Sequence, residues 1–250
     1  MGTENHTGHP VNVMNLEKLI AFLIEMDSVY DPVNERIKIP ALGLMLVSAN
    51  GSLQLVKDTS STFDRSTNDR EIEFKDIKKL ATRLVNALIA CDATRLTVAD
   101  AKTINRKIQG GRKVAKITPP PIDPENPTDT VSDLAKNISV SQLNVDFVID
   151  NFNKLVTLLI NEPLYIPNEV ALQTQTMLAK IVRMKAVNSK VIKATPPYIS
   201  AMLGRDVVLY KEDVGLVDTS KVVKSYCLSV LESSSDLYKN INHLHFRNIK

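Results

Sequence analysis

The stretch Val145–Glu169, VDFVIDNFNKLVTLLINEPLYIPNE, decides the fold. At ~100° per residue, Phe152, Leu155, Val156 and Leu159 fall on one side of a helix. A proline turn follows, and then the start of a second helix. An earlier segment repeats this pattern. NLEKLIAFLI at Asn15–Ile24 matches NFNKLVTLLI at Asn151–Ile160, and Leu16, Leu19, Ile20 and Leu23 supply the corresponding face. Each copy then carries Tyr, Pro, Asn and Glu in order: Tyr30, Pro32, Asn34, Glu35, and Tyr165, Pro167, Asn168, Glu169. Further along, RDVVLY at Arg205–Tyr210 echoes REIEF at Arg70–Phe74. TSKVVKSYCL at Thr219–Leu228 aligns with ATRLVNALIA at Ala81–Ala90. A repeat of this length is a duplicated domain and not a solenoid unit.

The fold class expected is therefore all-α: two related antiparallel helical bundles joined by a proline-rich linker. The linker is read from ITPPPIDPENPTDT, Ile117–Thr130, whose prolines block both helix and central strand. The division is a disordered lead at 1–12, a first bundle at 13–116, the linker at 117–137 and a second bundle at 138–250. Helices are expected over Val13–Met26, Ile39–Val56, Glu71–Ala90 and Val98–Ile108. In the second bundle they are expected over Ser141–Asn161, Asn168–Ala194, Pro196–Tyr210, Val217–Leu231 and Asp236–Phe246. Leu42, Leu44, Leu46 and Val47 give the second helix its apolar residues. Polar Thr59–Arg70 reads as a loop or a capped helix end. Asn168 is placed to cap the helix after it, and Pro196-Pro197 to break the chain. Val222, Val223, Tyr226 and Val230 are expected to face inward.

Hydrophobic residues make up 44% of the chain and charged residues 24%, ordinary proportions for a soluble globular protein. With no Trp, the core has to be Leu, Ile, Val and Met. Only 8 glycines suit long helices. Cys91 and Cys227 form no disulfide framework and read as small core residues. The N-terminus shows no signal pattern, and no uninterrupted apolar run approaches the ~18–20 residues of a membrane span. A cytoplasmic location is the expectation.

No P-loop, Rossmann glycine fingerprint, nucleophile elbow or HExxH helix occurs. His243 and His245 lie ~200° apart on a helix and cannot chelate together there; on an extended strand they could, but no acidic or Cys partner is nearby to complete a zinc site. The carboxylate pairs Glu71/Glu73 and Asp123/Glu125 do not form a facing set. No catalytic residue, metal or cofactor is expected, and the chain reads as a non-enzyme.

Charge placement is the one pointed signal. The net charge of +3 is small, so a functional field has to come from clustering. Between Val170 and Arg205 stand six basic residues and no acidic one: Lys180, Arg183, Lys185, Lys190, Lys193 and Arg205. Lys180, Arg183, Lys190 and Lys193 fall opposite an arc of Val170, Met177, Ile181, Met184, Val191 and Ile192. A second cluster holds Lys102, Arg106, Lys107, Arg112, Lys113 and Lys116. Such stripes are either solvated faces balanced by acids elsewhere, here Asp146, Asp150 and Glu162, or surfaces for an anionic partner.

The phrases ADAKTINRKIQG (Ala99–Gly110), ISVSQLNVDFVIDNFNKLVTLL (Ile138–Leu159), LYIPNE (Leu164–Glu169) and GLVDTSKVVKSY (Gly215–Tyr226) resemble an uncharacterised all-helical protein family of Bacteroidetes. The resemblance implies a helical fold and a bacterial source, and brings no catalytic residue or cofactor. The functional expectation is a structural or interaction protein whose bundles dock onto copies of itself or onto a partner protein. The alternative is binding of nucleic acid or another polyanion through the basic residues.

Overall fold

A computed structural model describes the backbone of residues 8–110 and 130–249, and the side chains of 8–110 and 145–249. Eight helices follow in order among these residues: α1 (Gly8–Glu25), α2 (Ile39–Phe74), α3 (Ile77–Ala90), α4 (Arg95–Ile108), α5 (Thr130–Ile160), α6 (Thr174–Tyr210), α7 (Leu216–Val230) and α8 (Asp236–His243). No strand forms among the described residues. The all-α reading holds.

The described residues divide into two compact units. One contains residues up to Thr62 together with those from Thr195 onward; the other is Phe63–Ala194. These units do not coincide with the division into 13–116 and 138–250. α2 and α6 each begin in one unit and end in the other. Of the segment 117–137, residues 117–129 lie outside the described residues, and 130–137 belong to α5.

In the first unit, α1 packs on α7 and α8, α7 packs on α8, and α7 also meets the 3₁₀ turn Glu35–Ile37. Leu16, Leu19 and Leu23 of α1 are fully buried with Leu42, Val223, Cys227 and Ile241. The second unit repeats this pattern of neighbours. α5 packs on α3 and α4, α3 packs on α4, and α3 also meets the 3₁₀ turn Val170–Leu172. Phe152, Leu155, Val156 and Leu159 bury against Leu84, Val85, Leu88, Met177 and Met184.

The Tyr/Pro/Asn/Glu turns have a common physical device. The Tyr30 hydroxyl donates to the Ile37 carbonyl at 2.5 Å, and the Tyr165 hydroxyl donates to the Leu172 carbonyl at 2.9 Å. Each phenol spans 7 residues and ties the end of the preceding helix to the 3₁₀ turn that starts the next. Both rings are buried. The hydroxyl thereby satisfies a carbonyl that would otherwise lose its hydrogen bond on leaving water.

Several boundaries differ from the sequence reading. α1 starts at Gly8, so 8–12 of the expected lead are helical, and His9 and Asn12 are buried. Thr59–Arg70 is helix and not loop: Thr59 and Thr62 donate back to the Leu55 and Asp58 carbonyls, which satisfies their hydroxyls inside α2. The break falls instead at Lys75–Asp76.

Asn168 does not cap α6, because the 3₁₀ turn intervenes and the helix begins only at Thr174. The first copy does use its asparagine: Asn34 accepts from the Arg36 amide. Pro196 and Pro197 lie inside α6 without ending it. Each removes an amide donor, at ~3 kcal/mol or more. The helix continues because Met184 and Val191 anchor it before the prolines, and Met202 and Leu209 after them. α8 ends at His243, and an extended tail follows.

Candidate interaction surface

The basic stripe of α6 is not an open face. Lys180 donates to the Glu73 carboxylate at 3.1 Å and to the Glu73 backbone carbonyl at 2.9 Å. Arg183 reaches the same carboxylate at 3.4 Å, and Lys190 pairs with Asp69 at 3.6 Å. The balancing acids are thus Asp69 and Glu73 at the end of α2. Asp150 pairs instead with Lys154, and Asp146 accepts from Asn188. Lys180 and Glu73 keep only 16% and 19% of their side-chain exposure, so this pair is a packed seam. Lys185 and Lys193 remain exposed beside it. Behind the stripe, Met177, Ile181, Met184 and Val191 are buried as expected, while Val170 and Ile192 are exposed.

The α4 cluster is placed differently. Lys102, Arg106 and Lys107 are exposed, and among the described residues none has an acid within ion-pair distance. Arg112, Lys113 and Lys116 lie outside the described residues. Arg205, also in the basic run, is buried and pairs with its neighbour Asp206 at 2.7 Å.

The histidines do not come together as a pair. The His243 ring contacts the Lys239 carbonyl within α8, and the His245 carbonyl accepts from Asn15. That second bond belongs to a clamp on the C-terminal tail. Asn12 donates to the Arg247 carbonyl at 2.8 Å and accepts from the Arg247 amide at 3.0 Å. Lys224 donates to the Asn242 and Leu244 carbonyls, and burial pushes its ammonium below the usual range. Deeper in, the Tyr210 hydroxyl lies between His9 and Asn12, and burial raises its pKa. Cys227 is buried and pushed up to about 11 by desolvation, and Cys91 is half-buried; both are free thiols. No metal-competent group of His, Cys, Asp or Glu occurs among the described residues.

Two shallow grooves lie in the second unit. One of about 410 Å³ is lined by Asp76, Lys79, Leu80, Arg83, Met177 and Lys180; the other, about 450 Å³, by Ile89, Asp92, Arg95, Val98 and Lys102. Both open broadly to the surface.

The larger unoccupied surface is apolar. Between Lys38 and Lys57 the chain carries no charged side chain. By length and composition the helical run containing it is apolar enough to cross a membrane, with a mean hydropathy of 1.5 over 18 residues, of which 11% are buried. The run is not uninterrupted, since Ser48, Asn50, Ser52 and Gln54 fall within it. The structure corrects the reading of the core, since Leu42 is buried but Leu44 is 75% exposed, Val47 71% and Leu55 54%. The Ile39–Val56 stretch is uncharged all round, and the first unit buries Leu42 and Ala49 on one side of it. On α7, Val223 is buried and Tyr226 half-buried, while Val222 and Val230 lie at the surface; the inward arc is Leu216, Ser220, Val223 and Cys227. The missed signal was the absence of any charge between Lys38 and Lys57, which leaves no charged face to meet water.

Comparison of the chain with protein-family models, with curated proteins and with solved structures finds no match.

Proposed function

We propose that this chain is a non-enzymatic interaction protein, made of a duplicated helical unit and built to dock onto copies of itself or onto a partner protein. The exposed apolar face of α2 carries the reading. Leu44, Val47 and Leu55 project from the uncharged Ile39–Val56 stretch of α2, and exposed apolar surface of this kind marks interaction sites on soluble proteins. The cytoplasm is the compartment in which such docking is proposed, and a Bacteroidetes family the proposed source.

The duplication is supported by the matched neighbours of the two units. α1, α7, α8 and the Glu35–Ile37 turn in one correspond to α5, α3, α4 and the Val170–Leu172 turn in the other. On that reading the copies are exchanged: each unit takes its first helix from one copy and its third and fourth from the other. The tyrosines follow the exchange. Tyr30 of the first copy stacks edge-on against Tyr226 of the second at 5.3 Å, and Tyr165 of the second lies within electrostatic reach of Cys91 of the first. The test is cross-linking of the chain in its own cell extract, followed by reconstitution with the purified species it captures. A chain that remains at its own mass in the extract and in pure solution refutes the docking reading.

A second reading is supported on α4 only. Lys102, Arg106 and Lys107 have no acid within ion-pair distance among the described residues, as a phosphate-backbone contact requires. It predicts heparin retention that falls steeply with salt and drops on Lys102→Glu with Arg106→Glu. No retention at ~50 mM salt rejects it.

A further inference from the structure

We infer that the occupant of the α2 face is the same face of a second copy of this chain, packed antiparallel about a twofold axis. This rests on the docking reading above and names its partner. At ~100° per residue, Pro40, Leu44, Val47, Ser48, Gly51, Leu55 and Asp58 fall on one stripe, opposite the inward Leu42, Ala49 and Leu53. Leu44, Val47 and Leu55 stand out from it. Gly51 leaves a gap, with nothing within 4 Å of where a Cβ would sit.

The stripe is self-complementary in one register. A twofold between Val47 and Ser48 lays Leu44 of one copy over Gly51 of the other, Val47 beside Ser48, and Leu55 over Pro40. Each large side chain meets a small or flat one, as an isologous interface requires. The charges agree as well. Asp58, at the end of the stripe, arrives at the N-terminus of the partner copy's α2. Arg36 flanks that end, Lys38 beside it is already paired with Glu35 at 2.6 Å, and the helix dipole there favours a carboxylate. No like-charged pair falls on the seam, because none of its other residues is charged.

Size sets the strength. The stripe is roughly 27 Å long at 1.5 Å per residue and supplies about half of the ~800 Å² each partner gives to a standard interface. Summed over both copies, that total lies below the ~1,000 Å² of a stable interface, so the association is expected to be weak and transient.

Sedimentation velocity on the full chain from about 5 to 300 μM tests this. Wild type is expected to shift from monomer to dimer across that range. Leu44→Lys places a charge on the seam, and Gly51→Leu fills the gap. Each is expected to weaken association at least tenfold. Gly51→Leu also raises helix propensity, so its folding is not in question. Asn50→Lys, off the stripe, is expected to leave association unchanged. Val47→Cys is expected to cross-link between copies at position 47 on oxidation, with the wild-type thiols as background.

A wild-type monomer throughout overturns the inference. So does a monomer that co-sediments with phosphatidylglycerol vesicles through α2, which would assign the face to lipid. A dimer that survives both Leu44→Lys and Gly51→Leu overturns the α2 register while leaving the docking reading intact.

Discussion

Replacing Glu73 separates the two roles open to the α6 cations. Its carboxylate holds Lys180 at 3.1 Å and Arg183 at 3.4 Å, on a side chain only 19% exposed. A fully exposed ion pair is worth about 0–1 kcal/mol, and breaking a fully buried one costs about 3–5 kcal/mol. Burial here lies between these limits. The backbone carbonyl of Glu73 still accepts from Lys180 after substitution, so Glu73→Ala is expected to destabilise by about 1–3 kcal/mol. At ~2–4 °C per kcal/mol for a domain of this size, the second unit then melts about 2–12 °C earlier.

Glu73→Gln keeps an acceptor for Lys180 and is expected to lose less, about 1 kcal/mol, as hydrogen bonds to neutral partners are weaker. Differential scanning calorimetry reads both variants. Heparin chromatography of the double variant Asp69→Asn, Glu73→Gln reads the freed charge. If these acids screen a latent polyanion site, elution moves to higher salt. A Glu73→Ala protein within ~0.5 kcal/mol of wild type would show that the seam carries no weight and refute the placement of Lys180.

Three further outcomes are expected. Tyr165→Phe keeps the ring but strands the Leu172 carbonyl, which should lower stability by about 1–3 kcal/mol in urea titration; an unchanged midpoint contradicts the turn geometry. Asn12→Ala removes both bonds to Arg247, and hydrogen exchange of the 244–249 amides should quicken while that of α3 and α4 stays as in wild type. Stability should also fall in alkali. Burial, reinforced by Cys91 and Glu169, pushes Tyr165 up to about 12, and burial pushes Cys227 up to about 11. Their folded values exceed the unfolded ones, so the stabilising protonated state is fully present below pH ~9. It is lost for Cys227 as pH rises through 11 and for Tyr165 through 12. Urea midpoints from pH 8 to 11.5 measure this, and Cys227→Ala should flatten the earlier part of the decline.

How much of this could be read in advance follows the range of the interactions involved. Leu16, Leu19 and Leu23, and likewise Phe152, Leu155 and Leu159, declare their face by spacing alone, because a helix repeats every ~3.6 residues wherever it packs. Thr59–Arg70 misled because polar composition resembles a loop until its hydroxyls find carbonyls one turn back. Pro196-Pro197 misled because propensity is a weak term beside packing on both sides. On the candidate surfaces, spacing placed Lys180, Arg183 and Lys190 on one arc. It could not show Glu73, 107 residues from Lys180, lying against them.

What the sequence determined by itself was periodicity: helices, their inward faces, and the twin Tyr/Pro/Asn/Glu turns. What only the tertiary structure decided was pairing. α3 and α4 pack with α5, and α7 and α8 with α1. Packing likewise brings Asp69 and Glu73 of α2 to the α6 cations and leaves Leu44 and Val47 of the uncharged Ile39–Val56 stretch facing water. Helix formation is bonded within four residues, so a short window of sequence contains it. Partner choice rests on burial, which has no direction along the chain and is fixed only when every competing apolar face has been placed.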